Sequence, residues 1–170
     1  MRKTRILITS CSLFAVALLA WAQSTRKAGL WEVTSTMTWQ QSPMPAGMSA
    51  NPNSPFGGGS HTNQVCVTQA QIDRYGSLPP QTRGDCQVTN IQKRSDGMTA
   101  TIACTGRMNA TGTVDSTWSD DEHAKSKIHL TGTMQMGPNT KPVEWTVEST
   151  SSFKGADCGS VQPAPMPADK

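Results

Sequence analysis

Beyond residue 22 the sequence has no long apolar run, no Cys-x-x-Cys pair and no familiar catalytic motif, and it is poor in charge (16%) and in aromatics (5%). Each absence excludes something. Without roughly 20 consecutive apolar residues there is no membrane-spanning helix. Without Cys-x-x-Cys there is neither a zinc knuckle nor a thioredoxin-type redox pair. G-x-S-x-G, H-E-x-x-H, a phosphate-gripping glycine loop and the dinucleotide fingerprint are all missing, which leaves no visible nucleophile, zincin or nucleotide chemistry.

What is present begins with an address. Arg2, Lys3 and Arg5 form a basic head, Ile6 to Ala20 an apolar run, and Ala20-Trp21-Ala22 a small-x-small cleavage site. This pattern is a secretory signal peptide over residues 1–22. Ile8-Thr9-Ser10-Cys11 imitates a lipoprotein box, but cleavage there would leave most of the apolar run on the product. Removing residues 1–22 leaves 148 of the 170 residues, about one domain. The formal charge of +3 falls to zero when Arg2, Lys3 and Arg5 leave, since 12 basic and 12 acidic side chains remain. A neutral chain has no electrostatic basis for nucleic acid or an anionic membrane. The expected location is the periplasm or the exterior.

Cys11 leaves with the leader, so Cys66, Cys86, Cys104 and Cys158 remain, an even set that in an oxidising compartment reads as two disulfides. Four cysteines allow three connectivities. Cys86 and Cys104 flank one expected hairpin, which pairs them and leaves Cys66 to Cys158. For 86 and 104 to stand directly opposite, the hairpin needs an odd-length loop, such as Arg94–Asp96 or Lys93–Gly97.

Alternation dominates the rest. Trp31, Val33, Ser35, Met37 and Trp39 lie on one face, with Glu32 and Thr34, Thr36, Thr38 on the other. The same pattern recurs from Met98 to Cys104, from Ala110 to Trp118, from Ile128 to Met136 and from Val143 to Phe153. One apolar face and one threonine-rich wet face describe an antiparallel sheet. Short connectors at Ser95-Asp96-Gly97, Asp120-Asp121-Glu122 and Gly137-Pro138-Asn139 make the second half a meander. The expected fold is all-β, an antiparallel meander curving into a half-barrel or barrel. One short helix is predicted, capped by Thr68 over Gln69–Tyr75 and ended by Gly76. The domain spans 23–159, with a Pro/Gly/Ser/Asn-rich loose loop at 41–60 and a Pro-rich tail at 160–170.

Candidate chemistry is sparse, and no cofactor is implied. His61, His123 and His129 sit in no nucleophile motif, and His129 falls on the wet face. The mature chain holds eight methionines, and soft thioethers select Cu(I). Met134 and Met136 with His61 would form such a site, although both methionines share a face with Ile128 and Leu130, where thioethers fill core gaps. Apolar-ligand binding has a different motive. Inward positions mix Trp31, Trp39, Trp118, Trp145 and Phe153 with very small residues, including Ala100, Gly112, Ser116 and Gly132. That mixture leaves either a cavity beside the indoles or a sheet curved at its glycines, with serines near its rims.

Several short signatures occur together: Gly29-Leu30-Trp31-Glu32, Cys66-Val67-Thr68, Asp85-Cys86, Cys104, and Gly155-x-x-Cys158-Gly159. Their combination resembles the exported bacterial family called domain of unknown function 3617, over about residues 28 to 159. The resemblance implies a small envelope protein of Gram-negative bacteria and supplies no activity. Gly29-x-Trp31 on a first strand also resembles the opening motif of lipocalins, which favours an up-and-down barrel. The function expected from all this is non-enzymatic binding of an apolar small molecule, a lipid or an envelope protein partner, with Trp31, Trp39, Trp118 and Trp145 lining the cavity. The alternatives are the Cu(I) site and an enzyme with no recognisable motif.

Overall fold

The computed structural model describes residues 26–44, 59–76, 79, 86–163 and 166. The expected leader lies outside these residues, as do most of the 41–60 loop and much of the tail. The elements are β1 (Gly29–Gln41), β2 (Gly59–Val67), α1 (Gln69–Tyr75), β3 (Cys86–Lys93), β4 (Gly97–Cys104), β5 (Met108–Trp118), β6 (His123–Met136) and β7 (Asn139–Gly155). They form one seven-stranded antiparallel sheet in the order β2-β1-β7-β6-β5-β4-β3. The second half is the expected meander, and β1 folds back onto β7. The sheet does not close; β2 and β3 are its two edges.

The alternation holds strand by strand. On β4, Met98, Ala100, Ile102 and Cys104 are buried, and on β5 so are Ala110, Val114 and Ser116. β2 was not evident in the sequence. Ser60 to Gln64 of that strand are all polar and exposed, so an edge strand with little to bury carries no period-two signal. It forms because Gly59 to Val67 pair residue for residue with Met37 to Gly29.

The helix forms where Thr68 accepts from the Gln71 N–H and the Gln71 side chain accepts from the Thr68 N–H, a reciprocal capping box. Gly76 ends it at φ 72°, the left-handed conformation that glycine adopts without a Cβ penalty. Both expected bridges are present, Cys66–Cys158 and Cys86–Cys104. The second is reached differently from the expectation of an odd loop. Lys93 faces Met98 and the Arg94 N–H donates to the Gly97 carbonyl, so the hairpin closes on Ser95 and Asp96 alone. The odd residue lies instead in a β-bulge between Thr89 and Gln92, where Asn90 takes φ 52°, and beyond it Cys86 stands opposite Cys104.

Two apolar clusters sit on the inner face. The larger joins Tyr75, Met98, Ile102, Val114, Leu130 and Trp145 among others; the smaller joins Trp31, Val67 and Ile72. The helix serves both, Ile72 in one and Tyr75 in the other, and the Lys93 ammonium at the end of β3 donates to the Asp73 carbonyl of α1. The register aligns Ser35, Ser149, Ser126 and Ser116 in one row across four strands. The Ser35 and Ser149 hydroxyls bond to each other at 2.8 Å. Ser35 and Ser149 lie well inside their strands, whereas Ser116 and Ser126 lie near the β5–β6 turn, at the rim where serines were expected. Among the described residues no helix is long and apolar enough to cross a membrane.

Candidate functional site

The four indoles occupy three places. Alternation puts Trp39 of β1 and Trp145 of β7 on the inner face, and the ladder sets them opposite each other. Their rings lie 5.4 Å apart at 45°, within the range of favourable aromatic pairs. Trp145 is buried while Trp39 is half-buried. Met37, Met108, Val88 and Ile91 pack around the same cluster and are likewise only partly buried.

Trp31 is wholly buried in the smaller cluster. It meets Phe153 edge to face at 5.6 Å and donates from Nε1 to the Lys27 carbonyl at 2.9 Å. It anchors the chain where β1 begins. Trp118 lies at the end of β5, donating from Nε1 to the Ser95 carbonyl at 2.9 Å. The Arg26 guanidinium sits 4.8 Å above its ring, a cation–π contact. That same guanidinium, only 3% exposed, donates to the carbonyls of His123 and Asp120, so residues before β1 clasp the β5–β6 turn. Burial pulls Arg26 down to about 10, against Asp120 and Asp121; it stays charged at neutral pH.

In the same turn the Asp120 carboxylate accepts from the N–H groups of Glu122 and His123 and pairs with the His123 ring at 2.9 Å. These donors, the Glu122 N–H foremost, hold it at about 2 against an ordinary 3.8. A lowered carboxyl pKa contributes stability that is complete above the unfolded value and lost as pH falls through the folded one. Asp120→Asn is therefore expected to flatten the acid limb. Melting temperatures followed from pH 5 to pH 2 fall less steeply in the variant, and parallel curves would remove this account of the turn.

The thioether site does not assemble around His61. Through the ladder His61 shares a row with Ser35, Ser149 and Ser126, whereas Met134 is eight positions along β6 from Ser126, roughly 27 Å at the rise of a strand. Met134 is buried in the larger cluster and Met136 is 36% exposed. Among the described residues no group of three His, Cys, Asp or Glu side chains could hold a metal ion. His129 lies on the outer face as expected, bonded to Glu144 at 3.0 Å.

The outer face holds a feature that the one-dimensional pattern concealed, an open groove of about 600 Å³ across β1, β7, β6 and β5. Thr34, Thr36, Thr117, Thr150, Lys125 and Glu148 are among the residues that line it. Each is marked as wet by alternation, but only the register brings the four strands together. A second cavity of about 350 Å³ adjoins it at the end of the sheet and is lined by Trp118.

A family model described as a protein of unknown function, DUF3617, matches residues 26–158. No curated protein and no solved structure matches the chain.

Proposed function

The chain belongs to the DUF3617 family, whose description carries no activity, and from that premise we propose that it is an exported, non-enzymatic binding protein that holds an apolar molecule, such as a lipid acyl chain, on the inner face of its open sheet. The Trp39–Trp145 pair carries the reading. These large rings lie on the apolar inner face with Met37 and Met108 of the same cluster, and several of these side chains are only partly buried. Ligand sites are mostly apolar and concave, with few polar groups. Trp31 and Trp118 have separate work, as an anchor and as the partner of Arg26, so the proposed contact falls to Trp39 and Trp145. Export is supported by the basic head and apolar run of residues 1–22 and by two disulfides, which persist in oxidising compartments. The periplasm is the compartment this implies.

The test is titration of the delipidated mature protein with hexadecanoic acid, followed by tryptophan fluorescence. A saturable change at one equivalent is expected, and Trp39→Ala weakens the affinity about tenfold, or roughly 1.4 kcal/mol. An unchanged spectrum across the titration would sink the proposal, as would a Trp39→Ala variant that binds like the parent.

A further inference from the structure

The two edges of the open sheet are built differently. β3 is kinked by the bulge at Asn90 and ends on Lys93, and a bulge and a lysine are both devices that keep an edge from pairing. β2 has neither. Its nine residues contain no proline and no Asp, Glu, Lys or Arg, and they follow β1 from Gly59 to Val67 without a register shift. We propose that the outer edge of β2 is a homodimer interface, to which a second copy of this chain adds its own β2, antiparallel, about a two-fold axis through Thr62.

Strand parity identifies the backbone groups that are free to pair. Successive residues of a strand aim their N–H and C=O at opposite edges. In a parallel β-bridge both groups of one residue span the gap; Pro163 has no N–H, so in its bridge with Cys66 that residue is Cys66. Cys66 therefore faces outward, and with it Gln64, Thr62 and Ser60. The opposite side of the sheet gives the same parity. The Phe153 N–H donates to the Glu122 carbonyl on the β6 side. Ser152 then turns to β1, its partner Glu32 turns to β7, and Trp31, Val33 and Ser35 turn to Val65, Asn63 and His61. Among the described residues the tail bridge at Cys66 is the sole strand pairing on the outer side of β2. Ser60, Thr62 and Gln64 are the open stretch.

An open stretch centred on Thr62 is complementary to itself. An antiparallel partner in this register sets Thr62 against Thr62 of the second copy and Ser60 against Gln64 of the second copy, which uses every outward backbone group in about six hydrogen bonds. The side chains match as well. On the outer face Thr62, already bonded to the Thr34 hydroxyl at 2.8 Å, meets a second threonine, and on the inner face His61 stands opposite Asn63 of the second copy. Polar cross-strand pairs support a ladder, and because β2 carries no Asp, Glu, Lys or Arg, no like charges are opposed. The 12 basic and 12 acidic side chains beyond residue 22 add no net repulsion between copies. The tail confines the pairing to this stretch, because it already occupies the edge at Cys66. Growth stops at two chains: a two-fold contact uses the same edge of both copies, and the edges left over are the two bulged β3 strands.

The experiment is sedimentation equilibrium of the mature, disulfide-bonded protein from about 1 µM to about 1 mM, without added ligand. A reversible rise to twice the chain mass is expected. Thr62→Pro removes the N–H on the axis, which points away from β1 and so takes no part in the ladder within the chain. Thr62→Lys keeps the backbone and opposes two ammonium groups. Each is expected to weaken dimerisation about tenfold or more, with the tryptophan emission of the parent as proof of folding. Cross-linking reads the register. Thr62→Cys places two thiols on residues whose Cα atoms are about 5.5 Å apart, within disulfide reach, and is expected to join the copies in oxidised glutathione. Ser60→Cys is expected to stay unjoined, since its mate lies four residues along the strand, roughly 14 Å away. The proposal is overturned by a single-chain mass throughout the range, by a mass that climbs beyond two chains, by a dimer that tolerates both Thr62→Pro and Thr62→Lys, or by Ser60→Cys joining where Thr62→Cys does not. Because hexadecanoic acid reports on the inner face and self-association is read without it, failure here and failure of the apolar-ligand reading are distinguishable.

Discussion

Replacing both Cys66 and Cys158 by alanine is expected to lower the unfolding free energy by about 4.5 kcal/mol and the melting temperature by about 10–15 °C. The bridge closes a loop with a sequence separation of 92 residues, and in the chain-entropy account its worth grows with the length of the loop it forbids in the unfolded state. It also holds the chain after β7 against the edge strand β2, where Pro163 pairs with Cys66 in a parallel bridge. The Cys86–Cys104 bridge, with a separation of 18, joins neighbouring strands of a hairpin. Its removal is expected to cost about 3 kcal/mol. Urea unfolding with linear extrapolation checks both values. If the short bridge proved the costlier to remove, loop closure would not be its source of stability.

Gly112→Ala is expected to cost at least about 3 kcal/mol, because it places a methyl group where backbone already stands. A Cβ at Gly112 would overlap the His129 carbonyl, and one at Gly132 would overlap the Asn109 carbonyl and Ala110. Both contacts cross the β5–β6 ladder, in which Gly112 faces Leu130 and Gly132 faces Ala110. The obstructing atoms are backbone, which no change of side-chain rotamer can move aside. Gly155→Ala is the control. Nothing lies within 4 Å of its Cβ position, and its stability should stay within about 0.5 kcal/mol of the parent. Equal urea midpoints for Gly112→Ala and Gly155→Ala would mean that β5 and β6 are not so closely apposed. The small inward residues therefore divide by role. Gly112 and Gly132 stand where strand backbones approach closely, a different role from the curvature expected of them, and the serines of β1, β7, β6 and β5 make a polar row.

Features set by near neighbours were legible. Period two assigned faces along most of β1, β4, β5, β6 and β7, and the cap of α1 at Thr68 and its stop at Gly76 follow from side-chain chemistry within a few residues. The cysteine pairing was legible because one hairpin contains two of the four. β2 was not, because a polar edge strand has no buried face to write a pattern. The Asn90 bulge was not, because an extra residue in a strand and an extra residue in its turn give the same cysteine register.

By itself the sequence determined the class of the fold, the wet and dry faces of the strands in the meander, the short helix and the Cys86–Cys104 bridge, since each depends on periodicity or on residues close along the chain, and the Cys66–Cys158 bridge followed as the pair left over. Only the tertiary structure decided which strands became neighbours. It turned β1 onto β7, left the sheet open at β2 and β3, separated His61 from Met134, divided the four indoles among three places, and aligned threonines of β1, β5 and β7 with lysines of β6 into one groove. The physical reason is that alternation states which face a side chain occupies but not what lies beside it. Lateral neighbours are chosen by backbone pairing across long stretches of chain, a choice made only when the whole sheet assembles.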